Sequence, residues 1–372
     1  MKQIVRIEDL PALAFGAALL GTGGGGDPYL GRLAAQREIE RSGAPRLIQV
    51  TDLADDALVV PVAMGGAPAV GLEKLISERF AETPVRRLEA YLGRTVDAVV
   101  PLEIGGVNSL IPILVASRLG IPVVDGDSMG RAFPTLDNTT FNIFGLCASP
   151  VVVTNEHGDV VVVHVRDNHR AELLSRAAIN ELGGSTCSTL YPLSGADAKR
   201  TLIPKTLSLA LSIGTAIMKA KETGAEVLES LRAALHAFDA NIQMRMLFEG
   251  TVIDVVRTIA GGFNTGQAEL RGVDAWQGKA ELIFQNEYLR MSRNGRLVAI
   301  VPDLICCVDS ETWDPATCET LRYGQRLKVI GVSCAPIMRT SAGLQACGPA
   351  AFNFKDTYTP FEELDVALPD NV

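Results

Sequence analysis

Asp125-Gly126-Asp127 sets two carboxylates two residues apart at the end of an apolar run, a spacing that suits a bound cation or a shuttled proton. Glu103 and Asn108 flank the Gly105-Gly106 end of an earlier apolar run. Asn286, Glu287 and Asp303 stand near the boundaries of later strands, where they could complete one site. Upstream lies GTGGGGDPYLG, residues 21–31. Its consecutive glycines, Gly23, Gly24, Gly25 and Gly26, permit a sharp turn that aims several backbone N–H groups at one point. Asp27 can cap the next helix and Pro28 fits its first turn, so the positive helix end would add to those donors. The chemistry is that of holding a carboxylate, a phosphate or a deprotonated heteroatom; a mobile linker between helices is the plainer alternative.

Other candidates carry weaker signals. Arg131 suits an acidic arm of a ligand, or equally a salt bridge or a helix cap. Cys187, within Ser185-Thr-Cys-Ser-Thr189, is a nucleophile only where a positive environment lowers its pKa, and a buried or loop-borne thiol is the simpler reading. His157 falls at a hairpin tip, His164 alternates with valines as a packed, hydrogen-bonded residue would, His169 opens a helix and His236 closes one; none has the paired spacing of a metal ligand. The glycine run follows a helical pattern and lacks a GK[ST] ending, so it is neither a dinucleotide fingerprint nor a Walker loop.

The elements that must position these residues alternate. Strands are expected at 47–50, 57–66, 95–106 and from 121, and helices at 69–80 and 109–120, the latter bent or delayed by Pro112. A hairpin follows around Asn155-Glu-His-Gly158, then a helix at 168–183, a polar loop from Ser185, and a long helix beginning near Pro204. From about 247 the chain is β-rich through the closing FNFKDTYTPFEEL. This pattern predicts an α/β fold: a three-layer αβα domain with a mainly parallel sheet over 1–167, a helical region packing with it over 168–240, and a β-barrel-like domain over 241–372. In such a sheet the binding crevice opens where strand ends meet.

Composition narrows the function. The 372 residues are 47% hydrophobic but only 5% aromatic, as a layered protein with close strand–helix contacts requires. A formal charge of −9 argues against a general nucleic-acid surface. The N-terminal stretch lacks signal-peptide architecture, no segment reaches the apolar length of a membrane span, and seven cysteines without CxxC spacing fit reduced thiols; a cytoplasmic protein is expected.

Residues LLGTGGGGDPYLG (19–31), EIGGVNS (103–109), PVVDGDSMGRAFP (122–134), FQNEYL (284–289), VPDLI (301–305), LRYGQRLKVIG (321–331) and GPAAFNF (348–354) together resemble the family named for S-methyl thiohydantoin desulfurase, over essentially the whole chain. The resemblance implies an αβα unit followed by a β-barrel-like unit. It also implies hydrolysis of a methylthio group from an S-methylated thiohydantoin, giving a hydantoin and methanethiol. Residues matching its motifs are Gly23 to Asp27, Glu103, Asn108, Asp125, Asp127 and Arg131, whereas Phe352-Asn353-Phe354 departs from the expected Gly-Tyr. On this reading Asp125 or Asp127 activates water, with a divalent metal such as zinc as an optional cofactor on the two acids. Glu103 and Asn108 orient the substrate, the glycine-loop N–H groups hold it, and Cys187 offers covalent attack instead. No nucleotide cofactor is expected. Two rivals stand beside it: a ring-opening hydrolase or isomerase of a related cyclic amide, and a non-catalytic partner subunit of a hydantoinase-type complex. A homo-oligomer is the expected assembly.

Overall fold

A computed structural model describes residues 4–66, 70 and 78–364. Most of the helix expected over 69–80 lies outside them. The first sheet contains β1 (Leu47–Gln49), β2 (Leu58–Gly66), β3 (Ala98–Pro101), β4 (Val123–Asp127), β5 (Val151–Thr154), β6 (Val160–Val163) and β7 (Ser185–Thr189), in the order β1-β4-β3-β2-β7-β5-β6. The short strands β8 (Leu193–Ser194) and β9 (Ile203–Pro204) pair at its margin with β2 and β4.

β1, β4, β3 and β2 run parallel, whereas β2, β7, β5 and β6 pair antiparallel. The sheet is therefore mixed rather than mainly parallel. Helical crossovers permit parallel neighbours, but the short turn between β5 and β6 leaves only antiparallel pairing. β7 is the element that the expected polar loop concealed: all five of its residues are buried. Small hydroxyl side chains can enter a sheet when a carbonyl receives them, as when Thr189 Oγ1 donates to Pro61 O at 2.9 Å.

Alternation along the strands feeds two cores. Val60, Val62 and Val99 join one apolar cluster, and Val59, Val100 and Val124 join the other. On one side lie α1 (Leu10–Leu20), α2 (Pro28–Ser42), α3 (Glu78–Leu92) and α4 (Ile111–Leu119). α4 starts late, as Pro112 requires, after a 3-10 turn at Gly106–Ser109. α5 (Asn168–Glu181) packs against β5, β6 and β7 and turns Ala171, Glu172, Ser175 and Ile179 inward.

α6 (Thr206–Thr223) and α7 (Val227–Phe238) lead to a second, wholly antiparallel sheet. It comprises β10 (Met244–Ala260), β11 (Phe263–Gly272), β12 (Lys279–Gln285), β13 (Glu287–Arg293), β14 (Arg296–Ile300), β15 (Leu304–Asp309) and β16 (Arg326–Val332), in the order β14-β13-β12-β11-β10-β16-β15. Contacts of β15 with β13 and β14 curl it into a half-barrel. Cys306 and Cys307 are both buried, and α1 packs against their strand. The closing stretch is not β: after a 3-10 turn at Pro349–Phe352 it is pinned by the Asp303 carboxylate, which accepts from Tyr358 Oη and Phe361 N, each at 3.1 Å. All seven cysteines are free thiols, and among the described residues no helix is long and apolar enough to cross a membrane.

α1 and α6 cross backbone to backbone. A Cβ on Gly16 would stand 1.8 Å from Ala210 O, and one on Gly214 would stand 1.8 Å from Ala12 O. Gly214→Val is therefore expected to destabilise the fold by about 1–3 kcal/mol, since the helices must separate to admit it. Urea unfolding checks this against the exposed Thr215→Val on the same helix; equal midpoints would remove the close crossing from the account.

Candidate functional site

The glycine turn is a rigid cradle, not a linker. Gly23, Gly25 and Gly26 have φ of 89°, 76° and 76°, which side chains resist. Gly25 and Gly26 press on Gly105 and Gly106: a Cβ on Gly106 would stand 1.8 Å from Gly26 O, and Val107 N donates to that oxygen at 3.2 Å. Gly23 makes room for the Tyr288 ring and the Cys318 thiol, and a Cβ on Gly24 would lie 2.0 Å from Glu287 Oε1. Asp27 caps α2 by accepting from Tyr29 N at 2.8 Å.

In front of this cradle opens a cavity of about 170 Å³, lined by Gly25, Gly26, Asp27, Glu103, Asn108, Asn286 and Glu287 among others. Met64, Phe80, Leu102 and Phe133 supply apolar wall. Among the described residues no backbone or side-chain acceptor takes the N–H of Gly25 or Gly26. Glu103 lies beyond the end of β3, which stops at Pro101 rather than running on to 106. Its Oε1 accepts from Asn108 Nδ2 at 2.7 Å and its Oε2 from Phe133 N at 3.2 Å. Asn108 Oδ1 in turn accepts from Met64 N at 2.7 Å, which fixes the amide. Asn286, at a φ of 60°, forms the tight link from β12 to β13, and its Oδ1 accepts from Asn264 N at 2.8 Å. That link aims Glu287 at the cavity.

Two buried carboxyls thus share one chamber with unequal support. Burial pushes Glu103 up to about 7, while its two N–H donors pull the other way. Glu287 is pushed well above the ordinary carboxyl range, first by burial and then by the charge on Glu103. Its Oε2 is buried without a hydrogen-bond partner among the described residues. Glu103 is the better carboxylate and Glu287 the better acid, a pairing able to move a proton onto and off a ligand.

Other sequence candidates occupy structural positions. Asp125 accepts from Ser208 N at 3.1 Å and Gln49 Nε2 at 3.3 Å, as well as from Ser208 Oγ, and so anchors the start of α6. Asp127 Oδ2 accepts from Ile104 N at 2.8 Å, Met129 N at 3.0 Å and Gly130 N at 2.8 Å. Neither acid lines the cavity, and no cluster of at least three His, Cys, Asp or Glu able to hold a metal occurs among the described residues. Ser208 and Gln49 hold both oxygens of Asp125 and three N–H groups hold Asp127 Oδ2, while Asp127 Oδ1 is buried without a partner among the described residues. Arg131, fully buried, donates to Ala132 O at 3.0 Å and to Asp303 O and Tyr288 O at 2.8 Å each, and stacks 4.7 Å from the Phe133 ring centroid. It ties the two sheets together and supplies positive charge behind Glu287. Cys187 is wholly buried beside Ala81, away from the cavity, and burial pushes its thiol up to about 12. Asp303 holds Arg339 and the segment at Phe361. Among the histidines, His164 is exposed and meets Tyr91 Oη at 2.9 Å, instead of packing inside.

A further part of the wall carries no motif of its own in the sequence. Glu156, Glu172, Ser175, Arg176 and Ser188 line it, and Arg176 Nη2 meets Glu172 Oε1 at 2.6 Å. The Glu172/Arg176 spacing of four on a helix was the available signal.

A raised carboxyl pKa makes the folded state hold a proton that the unfolded chain has released. Stability associated with Glu103 is therefore full below pH 4.5 and lost as pH rises to about 7, with Asp127 and Glu319, also near 7, acting in the same direction. Glu103→Gln is expected to flatten part of the decline between pH 5 and pH 7 in urea unfolding; an unchanged slope would place the Glu103 titration elsewhere.

Comparison with known proteins gives the chain its family. No curated protein matches the sequence. The crystal structure of a protein from Chromobacterium violaceum has a TM-score of 0.77 at 23% identity, over 96% of this chain and 99% of that one, and so shares the fold. The description "S-Me-THD-like, N-terminal domain" matches residues 8–165, and "S-Me-THD-like, C-terminal domain" matches residues 166–361. With both domains matched in order, the chain belongs to the S-Me-THD-like family.

Proposed function

We propose that this chain is a hydrolase that removes the methylthio group from an S-methyl thiohydantoin-like ring, and that it does so between Glu103 and Glu287. The observation that supports this reading is the presence of two unequally supported, buried carboxyls in a cavity edged by unpaired Gly25 and Gly26 N–H groups.

The ring enters with a carbonyl oxygen on those N–H groups, at the positive end of α2. Glu287 gives its proton to the ring nitrogen as Glu103 takes one from water, whose oxygen bonds to the carbon bearing sulfur. Glu103, now protonated, passes its proton to the departing sulfur. The C–S bond breaks, the hydroxyl proton returns to Glu287 and the carbon becomes a carbonyl. The sum is ring plus water giving hydantoin plus methanethiol, with both carboxyls restored. No step uses Asp125, Asp127 or a metal, and none uses the Cys187 thiol.

Incubation with an S-methyl thiohydantoin is expected to release methanethiol, read by a thiol-trapping dye, with the hydantoin read by mass. Glu103→Gln and Glu287→Gln should each lower kcat/KM by about 10²- to 10⁴-fold. Ring opening without thiol release would favour the cyclic-amide reading instead. No turnover, with a hydantoinase-like protein co-purifying, would favour the partner subunit. Cys187→Ala is expected to retain turnover; its loss would restore covalent attack.

A further inference from the structure

The cavity that holds the carboxyl pair also holds two hydroxyls with nothing to bond among the described residues. Ser175, from α5, is 4% exposed and Ser188, from β7, is 8% exposed; both line the cavity, and neither Oγ has a hydrogen-bond partner among the described residues. Neighbouring hydroxyls of β7 are not left this way: Thr186 Oγ1 donates to Gly65 O at 3.3 Å and Thr189 Oγ1 to Pro61 O at 2.9 Å. Buried polar groups in native proteins are paired, and an orphan beside a cavity can bond to a group, water included, that enters from outside. Gly65 keeps that place open, since a Cβ there would lie 2.9 Å from Ile179 Cδ1 and 3.7 Å from Ser188 Oγ.

We propose that Ser175 and Ser188 form a second polar subsite in this cavity, which takes a neutral hydrogen-bonding substituent of the ring, such as a carboxamide, in preference to a carboxylate. The proposal rests on the reading of the cavity as a ring-binding site. Charge selects the substituent. Arg176 is held by Glu172 through Nε at 2.9 Å and Nη2 at 2.6 Å, and by Pro134 O at 3.0 Å, so the Glu172 carboxylate already offsets its charge toward an incoming anion. Glu103 and Glu287 already place two acids in the same chamber, which disfavours a third. A carboxamide meets two hydroxyls, each able to donate or accept, without adding charge to a chamber that already holds several acids.

The test is calorimetric binding of hydantoins that differ only in one substituent, methyl, carboxamidomethyl or carboxymethyl, to the full chain. The carboxamide is expected to bind tightest, and Ser175→Ala and Ser188→Ala are each expected to weaken it about three- to tenfold relative to the methyl compound. In the unliganded protein the same variants should melt at the same temperature or higher, because each removes an unpaired buried group. Tightest binding of the carboxylate, an unchanged carboxamide-to-methyl ratio in the variants, or a lowered melting temperature that marks the hydroxyls as structural would each overturn the proposal. Binding is read without turnover. A carboxamide preference that depends on the serines, with no methanethiol released, would sink the desulfurase reading and leave the subsite standing.

Discussion

The site depends on backbone meeting backbone. Gly25 and Gly26 lie against Gly105 and Gly106 at distances that no Cβ allows, and Gly24 lies equally close to the Glu287 carboxyl. Because side chains are excluded there, the start of α2, the end of β3 and the start of β13 converge within one chamber. Positive φ at Gly25, Gly26 and Asn286 is the local cost of that convergence, and packing on all sides holds it in place.

Around this contact the protein buries several ionisable groups. Glu103, Glu287 and Arg131 are all out of water, and Arg131 is linked to three backbone carbonyls rather than to a carboxylate. That arrangement fixes the guanidinium while leaving both carboxyls able to exchange protons. A direct bidentate pair would have held Glu287 ionised. The same arginine spans from the first sheet to Tyr288 and Asp303 of the second, so one side chain serves both assembly and the electrostatics of the cavity.

The half-barrel therefore contributes more than support. It delivers Glu287 and Asn286 to a chamber whose other walls come from the first sheet and α5, and its closing segment is clamped by Asp303 on the far side of Arg131. Neither family domain encloses the cavity alone, since residues 8–165 carry Glu103 and the glycine turn while residues 166–361 carry Glu287, Ser175 and Ser188.

Much of this was written in the chain itself. Glycines in a row, an Asp-Pro cap, valine runs and a late Pro112 act through local backbone geometry, and they determined the turn, the cap of α2, the strands β2 to β4 and the start of α4. Long-range pairing decided the rest. An acid at a strand end reads alike whether it faces a ligand or a helix N-terminus, and only the position of α6 commits Asp125 to Ser208 and leaves Glu103 facing the cavity. Likewise Ser185–Thr189 has no apolar pattern, and becomes a central strand because β2 and β5 offer it edges and carbonyls. The kinds of groups present were a property of the sequence, but which of them keeps an unpaired atom was decided by partners that only the fold brings near, such as Ser208 at Asp125.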